Sequence, residues 1–196
     1  MLGMYSCDVG YAHLYGKGRV AKEYVQAVAH LANGLKVSQH VNVEKLRLTK
    51  ELDALLVMAN TSLEEMDDYF YKQKVSENTI LILTGGWLEL LYLTCKAAKK
   101  SPNELLHNRI GEQKIILEQL LLLLSFYEDT PRIKILMREL TPLQKAYDKV
   151  KIDFQYNDPT TKKDDNSSTK ISFTPENLRQ ILMITTDIRQ KIIQGK

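Results

Sequence analysis

Gly85-Gly86-Trp87-Leu88-Glu89-Leu90-Leu91-Tyr92 is the stretch whose reading decides the fold. It continues through Leu93 and Cys95, and at about 100° per residue these apolar side chains surround a helix axis almost completely. A helix that is apolar on nearly every side is a central one, packed against neighbours all round. Two glycines in mid-helix each cost about 1 kcal/mol relative to alanine, and the expected compensation is a neighbouring helix whose backbone approaches the bare surface. Glu89 belongs to the same enclosed segment, so it is expected to be buried and to need a partner.

The flanking segments read as further helices. Residues 4–15 and 20–35 carry apolar and small residues at helical spacing around the short break Tyr15-Gly16-Lys17-Gly18, which makes a helical hairpin, and Asn33-Gly34 is expected to close it as a left-handed cap. A third helix spans 43–60. Thr61-Ser62-Leu63-Glu64-Glu65 reads as the cap and first turn of a fourth that ends near Lys74. The central helix follows Ser76-Glu77-Asn78 and stops at Lys99-Lys100-Ser101-Pro102, where proline forbids continuation. A sixth covers 103–127, and a seventh runs from Pro131 to about Val150, with Pro142 expected to end or kink it near Thr141.

Between 151 and 173 the period changes to two: Ile152, Phe154 and Tyr156 alternate with polar residues, as do Ile171 and Phe173 after a polar stretch. This is a non-helical, β-hairpin-like insertion with a solvated tip. Thr174-Pro175-Glu176 then opens the last helix, which places Leu178, Ile181, Leu182, Thr185, Ile188 and Ile192 on one face. The expectation is an all-α fold, a single domain over 1–196 built as a bundle of about eight helices, interrupted by the 151–173 insertion.

With 44% hydrophobic and 26% charged residues, the composition is that of a globular protein and excludes collagen-like, disordered and disulfide-scaffold classes. The net charge of +3, from 27 basic and 24 acidic residues, is too balanced to announce a nucleic-acid binder or a membrane-surface protein, so no nucleic-acid partner is expected; a nucleic-acid alternative would rest on residues such as Arg132, Lys134 and Arg138. Cys7 and Cys95 form no CxxC or Cys/His cluster and read as buried thiols. The insertion tip, 158–168, lacks the glycine and the closing acid of a calcium loop, so no metal site is expected. No nucleophile elbow, HExxH, phosphate loop or dinucleotide fingerprint occurs, so neither a catalytic set nor a cofactor is expected.

What the chain does offer is polar residues at positions where apolar ones belong. Arg109 and Gln113 share a stripe with Leu106, Ile110, Leu117 and Leu120, which makes a Glu89–Arg109 pair between adjacent helices the economical arrangement, with Gln113 and Tyr92 satisfying the remaining hydrogen-bonding capacity. The functional alternative makes them the polar groups of a pocket lined by Trp87. Asp8, surrounded by Tyr5, Tyr11 and Tyr15, is expected to accept phenolic hydrogen bonds. Candidate ligand-binding residues are therefore Trp87, Glu89, Tyr92, Arg109, Gln113 and Asp8. For an enzymatic alternative, only Glu89 and Asp8 could serve as acid and base in an inter-helix cleft.

Three stretches together resemble an uncharacterised family of all-helical bacterial proteins, chiefly from Bacteroidetes and commonly described as candidate lipoproteins. They are Leu2-Gly3-Met4-Tyr5-Ser6-Cys7-Asp8-Val9-Gly10-Tyr11-Ala12, the GGWLELLY segment quoted above, and Arg109-Ile110-Gly111-Glu112-Gln113-Lys114. The resemblance implies a helical bundle of the cell envelope with no established activity. The leading functional expectation is a non-enzymatic scaffold or binding module that recognises a small apolar or amphiphilic ligand, or a protein partner, through a groove near Trp87. The resemblance also implies an upstream segment bearing an export signal and a lipidated cysteine. Neither Cys7 nor Cys95 matches that cysteine, so membrane attachment would come only through an anchor outside this chain.

Overall fold

The computed structural model describes residues 1–49, 51–153 and 170–195. Eight α-helices are found among them: α1 (Leu2–Leu14), α2 (Gly18–Gly34), α3 (Val43–Leu48), α4 (Leu52–Lys72), α5 (Glu77–Lys100), α6 (Glu104–Ser125), α7 (Pro131–Tyr147) and α8 (Pro175–Gln194). A single 3-10 turn, Ser38–His40, lies between α2 and α3. Before α8, β1 (Lys151–Asp153) pairs antiparallel with β2 (Lys170–Ser172), so that Ile152 faces Ile171 across the ladder. The fold is therefore all-α with a short hairpin insertion, as the periodicity implies. Phe154, Tyr156 and the insertion tip lie outside the described residues.

Two apolar clusters form, and α5 takes part in both. One joins Leu88, Leu91 and Cys95 of α5 to Ile110 and Leu117 of α6, Ile133, Leu140 and Leu143 of α7, and Ile181 and Ile188 of α8. The other gathers Leu2 and Val9 of α1, Val25 and Val28 of α2, and Met66 and Phe70 of α4, with Ile82 of α5 packed against it. Among the described residues, α5 is the one helix long and apolar enough to cross a membrane. Its packing between two clusters, with a buried glutamate at its centre, makes it the shared core helix instead.

Several local expectations change. Thr61 and Ser62 do not open a helix; they lie inside α4, and the break comes earlier, between α3 and α4. Leu55, Met66 and Phe70, buried at spacings of eleven and four, form one continuous stripe, and tertiary burial of that stripe overrides a local cap signal. The left-handed residue after α2 is Lys36, at φ 60°, not Gly34. There the amide of Val37 donates to the Ala32 carbonyl and that of Lys36 to Asn33, which closes the helix two residues later than the glycine would. Pro142 neither ends nor splits α7. Its neighbours Leu140 and Leu143 are both fully buried, and that anchorage carries the helix past the missing hydrogen bond. The start of α8 is as expected: the Asn177 backbone amide donates to Thr174 Oγ1, and the Thr174 backbone amide donates to Asn177 Oδ1.

Around Gly85 and Gly86 the anticipated close approach exists, and its partner is α1. Cys7 Sγ donates to the Gly86 carbonyl at 3.5 Å, and Met4 is fully buried against Gly85. The steric demand, however, falls on Gly3. A Cβ there would overlap the Ile82 carbonyl and come within 2.8 Å of the Gly86 amide nitrogen, whereas Cβ atoms on Gly85 and Gly86 would meet their nearest α1 atoms at ordinary distances of 3.5 and 3.6 Å. Gly3→Ala should therefore destabilise by about 3 kcal/mol, because backbone on both sides must move. Gly85→Ala should be neutral or stabilise by up to about 1 kcal/mol, through the propensity gain of a side chain that fits. Urea unfolding of the two variants tests this, and equal losses would contradict it.

Candidate functional site

Glu89 is fully buried, and the cation that meets it is Arg189 of α8. Arg189 Nε donates to Glu89 Oε2 at 2.5 Å, and Arg189 Nη2 donates to Asp8 Oδ2 of α1 at 3.4 Å. The guanidinium lies over the ring of Tyr92, 5.0 Å from its centroid, and Lys96 Nζ stands 5.6 Å from the same ring. Asp8 also accepts from the hydroxyl of Tyr24 on α2, and its carboxyl is within hydrogen-bonding reach of Glu89. Side-chain exposure is 7% for Asp8, 0% for Glu89 and 19% for Arg189, so the three charges sit largely out of water.

The expected Glu89–Arg109 pair is therefore not formed. Arg109 is 65% exposed and bonds to Glu112, one turn along α6, at 2.9 Å. The reason is angular: Arg109 lies about a quarter turn from the centre of the stripe containing Ile110 and Leu117, at the edge of α6 rather than on its buried face. Arg189, four residues after Thr185 and seven after Leu182, lies about an eighth of a turn from the centre of the α8 stripe, nearer its buried face than Arg109 is to that of α6. Asp8 carries a similar sign, four residues from each of the buried Met4 and Ala12. Its phenolic partner is not one of the α1 tyrosines. Tyr11 and Tyr15 pair with each other, and Tyr5 packs on Tyr24, which supplies the hydroxyl.

Trp87 and Gln113 form a separate arrangement. Trp87 Nε1 donates to Gln113 Oε1 at 2.9 Å, and Gln113 Nε2 donates back to the Arg109 carbonyl at 3.1 Å. Residues two apart on a helix point about 200° away from one another, so Trp87 and Glu89 occupy opposite sides of α5. Of the six candidates, the structure gathers Asp8, Glu89 and Tyr92 into the charged cluster, places Trp87 and Gln113 at the α5–α6 contact, and leaves Arg109 on the surface. The residue that sequence reasoning missed is Arg189.

Electrostatics follow from two carboxylates sharing one guanidinium out of water. Burial, reinforced by the charge of Glu89 and opposed by Arg189 and Tyr24, pushes Asp8 from its usual 3.8 up to about 7. Burial alone would lower Arg189, but its hydrogen bond and attraction to Glu89 outweigh that, so it remains a cation. Burial, together with the charges of Glu89 and Asp8, pushes the Cys7 thiol up to about 12, which keeps it protonated and unreactive. Glu89 Oε1 is buried without a hydrogen-bond partner among the described residues.

Two clefts lie elsewhere, towards the start of α5. One, of about 570 Å³, is lined by Tyr71, Lys72, Lys74, Ser76, Glu77 and Tyr127. The other, of about 350 Å³, lies between Val75, Asn78 and Leu81 on one side and Thr130, Pro131 and Arg132 on the other. Neither includes a candidate residue. Comparison with protein-family models, curated proteins and solved structures finds no match to this chain.

Removing the shared cation leaves two buried carboxylates without it. Arg189→Met should destabilise by about 3 to 5 kcal/mol at neutral pH, whereas Arg109→Met, which loses only an exposed pair, should cost less than about 0.5 kcal/mol. Chemical denaturation of both variants at pH 7.5 measures the contrast.

Proposed function

We propose that the protein is a non-enzymatic helical binding module whose working surface is the outer side of α5 around Trp87, and that it receives an apolar helix of a protein partner there. The observation that carries this reading is the exposure of Leu83 and Leu90, at 39% and 55%, on a helix whose other side buries Leu88, Leu91 and Cys95. At about 100° per residue these two leucines flank Trp87 on one stripe. Across the contact marked by the Trp87–Gln113 bond, α6 adds Ile116 and Leu123, which are also exposed. Exposed large apolar groups in one region mark interaction surfaces more often than chance solvent contacts. A stripe along an antiparallel helix pair suits a third helix, read through anchors three to four residues apart. Placement in the bacterial cell envelope belongs to the same proposal and rests on the family resemblance.

An enzymatic reading of Asp8 and Glu89 has less support, because both carboxylates are held by Arg189 and screened from solvent by the helices that carry them. Trp87 is the single tryptophan, so its emission reports this face without interference. Titration with amphipathic helical peptides should shift that emission to the blue and saturate, and Leu90→Asp should abolish the response while leaving the circular dichroism unchanged. Emission that responds to none of the peptides, or responds equally in Leu90→Asp, would refute the reading. Saturable response to phospholipid vesicles alone would assign the face to lipid instead.

A further inference from the structure

We infer that Asp8 and Glu89 act as an acid pair holding a single proton, and that the presence of this proton governs how firmly α1 is docked against α5 and α8. The geometry requires a charge adjustment. With both carboxyls ionised, the cluster holds two negative charges against the one positive charge of Arg189, and burial of the unmatched charge is costly. A proton on the pair makes the cluster neutral. It also supplies a donor where one is lacking, since Glu89 Oε1 is buried without a partner among the described residues and the Asp8 carboxyl lies within hydrogen-bonding reach of Glu89.

The groups that act on Asp8 come from each helix of the cluster: Glu89 from α5, Arg189 from α8 and the Tyr24 hydroxyl from α2, with Cys7 beside it on α1 and the Tyr92 ring beneath Arg189. Arg189 and Tyr24 favour the ionised carboxyl, while burial and Glu89 oppose it, and the balance falls near neutrality, at about 7. The sign of the linkage follows. Asp8 in the unfolded chain releases its proton near 3.8, while the docked helix holds it to about 7. The native state therefore binds the extra proton between these values, so the stabilisation is complete below the first and is lost as pH rises through the second.

α1 is the element that should respond, because it contributes one acid of the pair and no cation. Within the titration window, one extra proton in the docked state changes the opening equilibrium by up to about tenfold per pH unit. Amide exchange of α1, corrected for intrinsic rates and referenced to α7, should show opening that increases about tenfold or more between pH 5.5 and 7.5. In Asp8→Asn, which imitates the protonated acid, the same ratio should be flat across that range. An α1 ratio independent of pH in the wild type, or equally dependent in Asp8→Asn, would overturn the inference. Should Asp8→Asn fail to fold, carboxyl ¹³C titration of the wild type decides. A step near neutrality in the Asp8 signal supports the pair, whereas an Asp8 carboxylate already ionised at pH 5.5 would refute it.

Discussion

A carboxylate at the centre of an apolar helix must be met by a charge of opposite sign, and here the cation arrives from near the far end of the chain. Glu89 and Arg189 are 100 positions apart, and Arg189 and Asp8 are 181 apart. One guanidinium thereby fixes the relative placement of the first, fifth and eighth helices. Hydrophobic contact alone would allow these helices to slide, since leucine packs on leucine in several registers. A buried ion pair is intolerant of such slippage, because a displacement that breaks it leaves an uncompensated charge. The contribution of this cluster is thus specificity of arrangement more than net stability.

The electrostatic arrangement depends on a steric one. Asp8 reaches the cluster only because α1 lies unusually close to α5, and that closeness rests on Gly3, whose missing Cβ leaves room for the Ile82 carbonyl and the Gly86 amide. Five residues further along α1, Asp8 stands beside Glu89. Met4, fully buried between them in sequence, secures the same face with apolar contact. The glycine pair in α5 widens the seat without being strictly required by the space available, which is why the doublet that stands out in the sequence is less constrained than the single glycine that does not.

Legibility differed by the kind of information asked for. The central role of α5, the capping of α8 by Thr174 and the period-two insertion all follow from local rules, and local rules are what a sequence displays directly. The partner of Glu89 is a different matter, because a helical stripe tells which way a side chain points but not which neighbouring helix it meets. Angle places Arg109 about a quarter turn from the centre of its stripe and Arg189 about an eighth from the centre of its own, a difference too small to tell which one meets Glu89. The same angular reasoning divides Trp87 from Glu89 on their spacing alone. Where local signals competed with burial, as at Thr61 and Pro142, burial prevailed, since a continuous buried stripe outweighs a single capping or breaking residue.

The division of α5 into two sides has a structural consequence of its own. Glu89 faces the charged cluster, Trp87 faces the contact with α6, and Gly86 lies between these directions, half-buried beneath Cys7 of α1. The edge of α1 therefore borders the outer stripe that Leu83 and Leu90 leave open. A helix laid along that stripe would have α1 as one wall and α6 as the other. Because the position of α1 is held by Gly3 sterically and by Asp8 electrostatically, the width of the proposed surface is set by groups that never touch its occupant. A change of charge at Asp8 would then alter the surface through the packing of α1, with α5 itself remaining in place between its two apolar clusters.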